Sequence, residues 1–172
     1  MPGDVTPHDE FLALVEPLAR SIRAVASAWG RTAEDRRDLE QEILAQLWRA
    51  FPRYDRARPF PTWLYRVALN VAISQARARW PQEDRRAPLE AAEDLALDAR
   101  PRDERLAQLH TFISELEPLP RALVVLHLED RPHREIAEIL GLSETNVSTR
   151  LSRLRQRLRE RFSADGGTHG AR

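Results

Sequence analysis

Along nearly the whole chain apolar residues return at steps of three and four, and nowhere do they alternate with polar ones between hairpin turns, so the chain is constrained to helices. A first amphipathic segment from Asp9 to Trp29 gathers Phe11, Leu12, Leu14, Val15, Leu18, Ile22, Val25 and Trp29 on a broad apolar face. A second, from Arg36 to Phe51, repeats Leu39, Ile43, Leu44, Leu47, Trp48 and Phe51 before Pro52 stops it. Residues 53 to 61, Arg-Tyr-Asp-Arg-Ala-Arg-Pro-Phe-Pro, read as a short loop. The third segment, Thr62 to Trp80, offers Trp63, Leu64, Val67, Ala68 and Val71 for burial. Three such stripes close one small helical domain over residues 1–80.

Residues 81–104 break the pattern: three prolines, eight acids and four arginines leave too little apolar surface for a core, which predicts a flexible acidic linker. A second helical domain is expected over 105–165. It opens with Leu106, Leu109, Phe112, Ile113 and Leu116 on one helix, ended by Pro118; Pro120 starts the next, which buries Leu123, Val124, Leu126 and Leu128. The glycine-rich end, 166–172, reads as a disordered tail. The fold class is therefore all-α, two small domains within 172 residues.

Several function classes are excluded on composition. No uncharged apolar run reaches about 18 residues and the start of the chain is acidic, so no membrane insertion and a cytoplasmic location are expected. Without cysteine there is neither a disulfide nor a thiolate site, and the five histidines show no ligand spacing, so neither metal nor cofactor is expected. No nucleophile and base pairing and no glycine-rich phosphate loop mark an enzyme.

The formal net charge of zero conceals sorting along the chain. Residues 1–48 carry nine acids and five arginines, 49–80 one acid and seven arginines, 81–144 fifteen acids and eight arginines, and 145–172 two acids and seven arginines. Two basic blocks, each following an acidic one, predict two separate anion-binding surfaces.

The second basic block carries the most specific motif. Ile136, Ala137 and Leu140 face inward on a short helix; Gly141 is placed to end it in a left-handed conformation, and Ser143 to cap the next. On that next helix Val147, Leu151, Leu154 and Leu158 form the buried stripe. Two helices joined by such a turn make a helix-turn-helix. At about 100° per residue the opposite face carries Thr145, Thr149, Ser152, Arg153 and Gln156, flanked by Ser148, Arg150 and Arg157. Small hydroxyls, an amide and guanidinium groups are the chemistry that reaches base edges and phosphates in a major groove. The plainer reading, a solvated helix face with arginines lying over the core, does not call for the turn that precedes it.

The stretch LEPLPRALVVLHLEDRPHREIAEILGLSETNVSTRLSRLRQRLRE resembles the −35-reading domain of bacterial RNA polymerase sigma factors. DRRDLEQEILAQLWRAFPRYDRARPFPTWLYRVALNVAISQARAR is similar to their core-binding and −10-reading domain. The order and the acidic linker match the two-domain, extracytoplasmic function (ECF) type of the sigma-70 family. That resemblance implies region 2 over residues 1–80 and region 4 over 105–165. It implies a transcription initiation factor that binds core RNA polymerase through the β′ clamp helices and β flap, directs it to promoter DNA and answers to an anti-sigma factor. On the DLEQE helix, Asp38, Gln41 and Glu42 match the positions that grip the clamp helices; they lie off the Leu39, Ile43, Leu47 stripe, and their plainer reading is acids favoured near a helix N-terminus. Phe60, Arg66, Asn70, Ile73 and Arg77 match the loop and helix that capture an unstacked −10 base and follow the melted strand. Trp63 and Tyr65 are ambiguous, with Trp63 at the edge of the apolar stripe.

Relatives commonly carry a basic residue where Ser148 stands, and Arg and Asp where Leu69 and Ser74 stand, so the resemblance carries over the general role and not a promoter sequence. The alternative is a helix-turn-helix regulator reading an operator without polymerase. Such proteins usually dimerise on two half-sites and have no need of the basic block at 49–80.

Overall fold

Prolines and capping threonines set the helix limits in the computed structural model, which describes residues 6–79 and 101–166. Helix α1, Pro7–Val15, opens on a proline whose fixed φ suits a first turn. A capping box closes its start: the Asp9 amide donates to Thr6 Oγ1 at 3.2 Å, and the Asp9 carboxylate accepts from the Thr6 amide at 3.1 Å. Where the periodicity predicts one helix from Asp9 to Trp29, Pro17 breaks it, because its ring removes an amide donor and crowds the carbonyl four residues back. A short 3₁₀ turn, Glu16–Leu18, intervenes before α2, Ala19–Trp29. A second capping box, Thr32 with Asp35, starts α3, Ala33–Ala50, ahead of the expected Arg36. Pro52 falls in the 3₁₀ turn Phe51–Arg53 that follows, and α4 runs Phe60–Arg79.

Helices α2, α3 and α4 pack mutually around Val25, Trp29, Leu39, Ile43, Leu47, Leu64, Tyr65 and Ala68, all buried. Three residues of the expected apolar faces stand outside this core. Leu12, Leu44 and Trp48 are 47%, 39% and 43% exposed. The covered ridge of α3 is Leu39, Ile43 and Leu47 at four-residue steps, and Leu44 and Trp48 sit one residue, about 100°, beyond it.

The chain divides into two compact units, residues 1–115 and 116–172. The first includes α5, Pro101–Glu115, which packs on α2, whereas the periodicity predicts this helix as the opening of the second domain. Of the linker expected over 81–104, residues 101–104 form the first turn of α5 and the remainder lies outside the described residues. In the second unit α6, Pro118–Leu128, α7, His133–Leu140, and α8, Glu144–Gly166, enclose Leu123, Leu126, Ile136, Val147 and Leu151. Leu106 and Leu128, expected inside, are 50% and 53% exposed. Beyond Gly166 the expected tail lies outside the described residues.

Candidate nucleic-acid interface

The first cationic face begins in the loop between α3 and α4. The turn Asp55–Arg58 is fixed from within: the Arg58 amide donates to the Asp55 carbonyl and the Ala57 amide to Asp55 Oδ1, both at 3.0 Å. The Tyr54 hydroxyl donates to the Arg58 carbonyl. Beneath lies an aromatic floor. Phe60 is only 5% exposed, with the rings of Phe51, Tyr54 and Trp63 at 6.4, 5.2 and 5.3 Å between centroids. The loop assignment of Phe60 is thus corrected: it is the first residue of α4, turned inward by its aromatic neighbours, and it offers no free ring face.

Above that floor Tyr54 and Trp63 are half-buried with centroids 5.0 Å apart. Trp63, Arg66, Asn70, Ile73 and Arg77 follow at steps of three and four, an arc of about 80° on α4. Asn70 and Arg77 are exposed, Arg66 and Ile73 half-buried, and α4 carries no carboxylate. The face therefore joins an aromatic end to a polar, cationic side. Trp63 is the residue that periodicity alone misses, because it lies within one arc of both the core and the Arg66 stripe.

On α3, Asp38 and Gln41 are exposed while Glu42 is half-buried. Glu42 accepts from Gln46 Nε2 at 3.0 Å and from Arg49 Nη2 at 3.1 Å, so it belongs to a local network. Exposed Leu44 and Trp48 border Gln41, and the Trp48 ring stands edge-on to His8 and Phe11. This face is consequently part polar and part apolar, which its acids alone do not foretell.

The second cationic face is α8. Gly141 ends α7 at φ 68°, and the Asn146 amide donates to Ser143 Oγ at 3.2 Å, which caps α8 as expected. Val147, Leu151 and Leu154 are buried and Leu158 half-buried. Thr145, Ser148, Thr149, Arg150, Ser152, Arg153, Gln156 and Arg157 are all exposed. Two have partners along the helix: Arg150 donates to Asn146 Oδ1, and Gln156 donates to Glu160 Oε1 at 2.8 Å. Behind α8, burial pushes the His127 imidazole below its ordinary 6.5, and the positive charges of Arg155 and His133 add to this against Asp130. Among the described residues no group of three or more His, Asp or Glu converges as a metal site requires.

A helix-turn-helix with an arginine-lined second helix, together with a separate basic helix beside an aromatic loop, has the build of a nucleic-acid-binding protein. Residues 14–82 match the model for sigma-70 region 2, and residues 106–158 match that for sigma-70 region 4. The RNA polymerase sigma-H factor of Pseudomonas aeruginosa is 32% identical over 85% of this chain and 82% of that relative. The ECF RNA polymerase sigma factor SigE of Mycolicibacterium smegmatis is 30% identical over 92% of this chain, which spans 63% of that relative's length. A solved structure of CnrH in complex with the cytosolic domain of CnrY is similar at a TM-score of 0.70 and 25% identity, covering 95% of this chain and 92% of that one. The chain belongs to the sigma-70 family of RNA polymerase sigma factors, in its ECF group, the polymerase-associated factors that confer promoter specificity at initiation.

Proposed function

We propose that the two faces divide the promoter between them. The α8 face, on the second unit, docks in the major groove of the −35 element, Arg153 and Gln156 toward base edges and Arg150 and Arg157 toward phosphates. The first face, on residues 1–80, takes the −10 element as single strand. Tyr54 and Trp63 over the Phe60 floor offer apolar walls to an unstacked base, and Arg66, Asn70, Ile73 and Arg77 follow the backbone. The observation that carries this reading is the presence, in one chain and in family order, of two cationic faces of different build: one an exposed helix suited to a groove, the other a half-buried aromatic pair continued by a basic track.

Asp38, Gln41 and Glu42, with the exposed Leu44 and Trp48 beside them, form the surface for the β′ clamp helices, and the second unit meets the β flap. An anti-sigma factor, the kind of partner bound to the solved sigma factor RpoE from Bartonella quintana, would silence the chain by covering these surfaces. The protein acts in the cytoplasm and catalyses no reaction of its own. Reconstitution with core polymerase tests the whole reading: transcripts starting at defined sites support it, and their absence with an active core would sink it.

A further inference from the structure

The bonds inside the Asp55–Arg58 turn tie it only to itself, since each joins residues no more than four apart, so a short exposed turn of this kind stays closed and in place only with contacts from outside it. Its position is set partly by a contact spanning 46 residues. Arg56 Nε donates to Glu10 Oε1 at 2.9 Å and Arg56 Nη2 to Glu10 Oε2 at 2.7 Å, a two-pronged pair from loop to α1. The same guanidinium lies 5.8 Å from the centroid of the Phe51 ring. Phe51 is buried and meets both Phe11, the neighbour of Glu10, and Phe60. Glu10, Arg56 and Phe51 thus link the start of α1 to the floor of the first face. Exposed ion pairs seldom matter, but a fork-to-fork arginine pair over an aromatic ring is the geometry in which they do. Consistent with it, the hydrogen bond from Arg56 holds the Glu10 carboxyl below its ordinary range.

We propose that Glu10 and Arg56 form a strap that positions the Asp55–Arg58 turn over the aromatic floor and so sets how sharply the first face discriminates among −10 bases. Both are positioning residues, and Arg56, engaged with Glu10, is withdrawn from DNA phosphates. The specificity half of this proposal rests on the −10 reading above; the strap itself does not.

The test uses the full chain with three variants: Glu10→Gln, Arg56→Gln, and the exchange Glu10→Arg with Arg56→Glu. In the free protein, hydrogen exchange at the Ala57 and Arg58 amides should quicken by roughly two- to five-fold in each single variant and return toward the parent rate in the exchanged pair. In holoenzyme, open-complex formation over all four bases at the captured −10 position should show preference compressed by a similar factor in the single variants and recovered in the exchange. Unchanged amide exchange in both single variants overturns the strap, whatever the DNA does. Faster exchange with unaltered base preference overturns the specificity role. Arg56→Gln weakening every −10 sequence alike, with Glu10→Gln silent, would make Arg56 a phosphate contact and end the proposal. If the parent holoenzyme shows no −10 dependence, the functional reading fails and the specificity half with it, while amide exchange still decides the strap.

Discussion

The two cationic faces are built on opposite plans. The α8 face is local: its cap, buried stripe and exposed polar residues all lie between Ser143 and Leu158 on one continuous helix. The α4 face is composite, drawing its floor from Phe51 and Phe60, the rings above it from Tyr54 and Trp63, and its loop anchor from Glu10, far off in sequence. A groove in duplex DNA is regular and suits a helix; an unstacked base asks for a pocket, which needs walls from several elements. On the proposed division of the promoter, the difference in build matches the difference in ligand.

The sharpest way to break this contrast is Phe60. As a buried floor it should tolerate Phe60→Leu with opening largely retained, while Phe60→Ala should cost the first unit about 3–5 kcal/mol through the cavity it leaves. Denaturant titration and open-complex formation read the two. Loss of opening in a stable Phe60→Leu variant would return Phe60 to direct stacking.

The next largest effect is expected on α8. Arg153→Ala should cost about 1–3 kcal/mol on the preferred −35 element and flatten preference at one or two base pairs. Arg157→Ala should weaken all sequences alike and lower the salt slope by about one. Binding titrations across −35 variants and salt concentrations separate them, and a uniform loss with Arg153→Ala would shift base reading to Thr145, Thr149 and Gln156. Because Gln156 already donates to Glu160, its use on DNA requires that surface bond to open.

Smaller effects compare two helix ends in the second unit. Gly141 at φ 68° has open space where a Cβ would sit, so Gly141→Ala should cost on the order of 1–2 kcal/mol from backbone strain alone. Asp130, at φ 54°, makes the equivalent turn after α6 with the Arg131 amide donating to the Leu126 carbonyl. Relief of that strain by Asp130→Gly is offset by glycine's unfolded-state entropy, leaving a change within about 1 kcal/mol. Thermal melts check both.

The smallest effect is pH dependence. Because the folded state holds His127 below its ordinary 6.5, the unfolded chain takes up its proton first as pH falls. Stability of the second unit is therefore full above that value and declines as pH drops through and below it. His127→Gln should flatten this part of the melting temperature profile between about pH 5 and 7; an unchanged slope would assign it to other groups.

What the residues alone disclose divides along the same line. Gly141, Ser143 and the Val147, Leu151, Leu154 stripe were legible because turn chemistry and helical period are short-range properties. The break at Pro17 was missed, because the long apolar face from Asp9 to Trp29 reads as one helix despite the proline. Leu44 and Trp48 were not, because periodicity marks which arc is apolar but not how much of it a neighbour covers. Nor was the inward turn of Phe60, or the reach of Arg56 to Glu10, which only the packing of α1 beside the loop creates. The charge tally located both basic faces; it could not tell which arginines have internal partners.

The most direct measurement is open-complex formation by holoenzyme on matched duplex and premelted promoters, comparing the parent protein with Asn70→Ala and Arg153→Ala. If the first unit takes the melted −10 strand and the second reads the −35 duplex, Asn70→Ala should fail on duplex DNA and recover in part when the −10 region is premelted. Arg153→Ala should keep its defect on both templates, because premelting the −10 region does not restore a lost −35 contact. Equal behaviour of the two variants on both templates would contradict the division of the promoter between a composite and a local face.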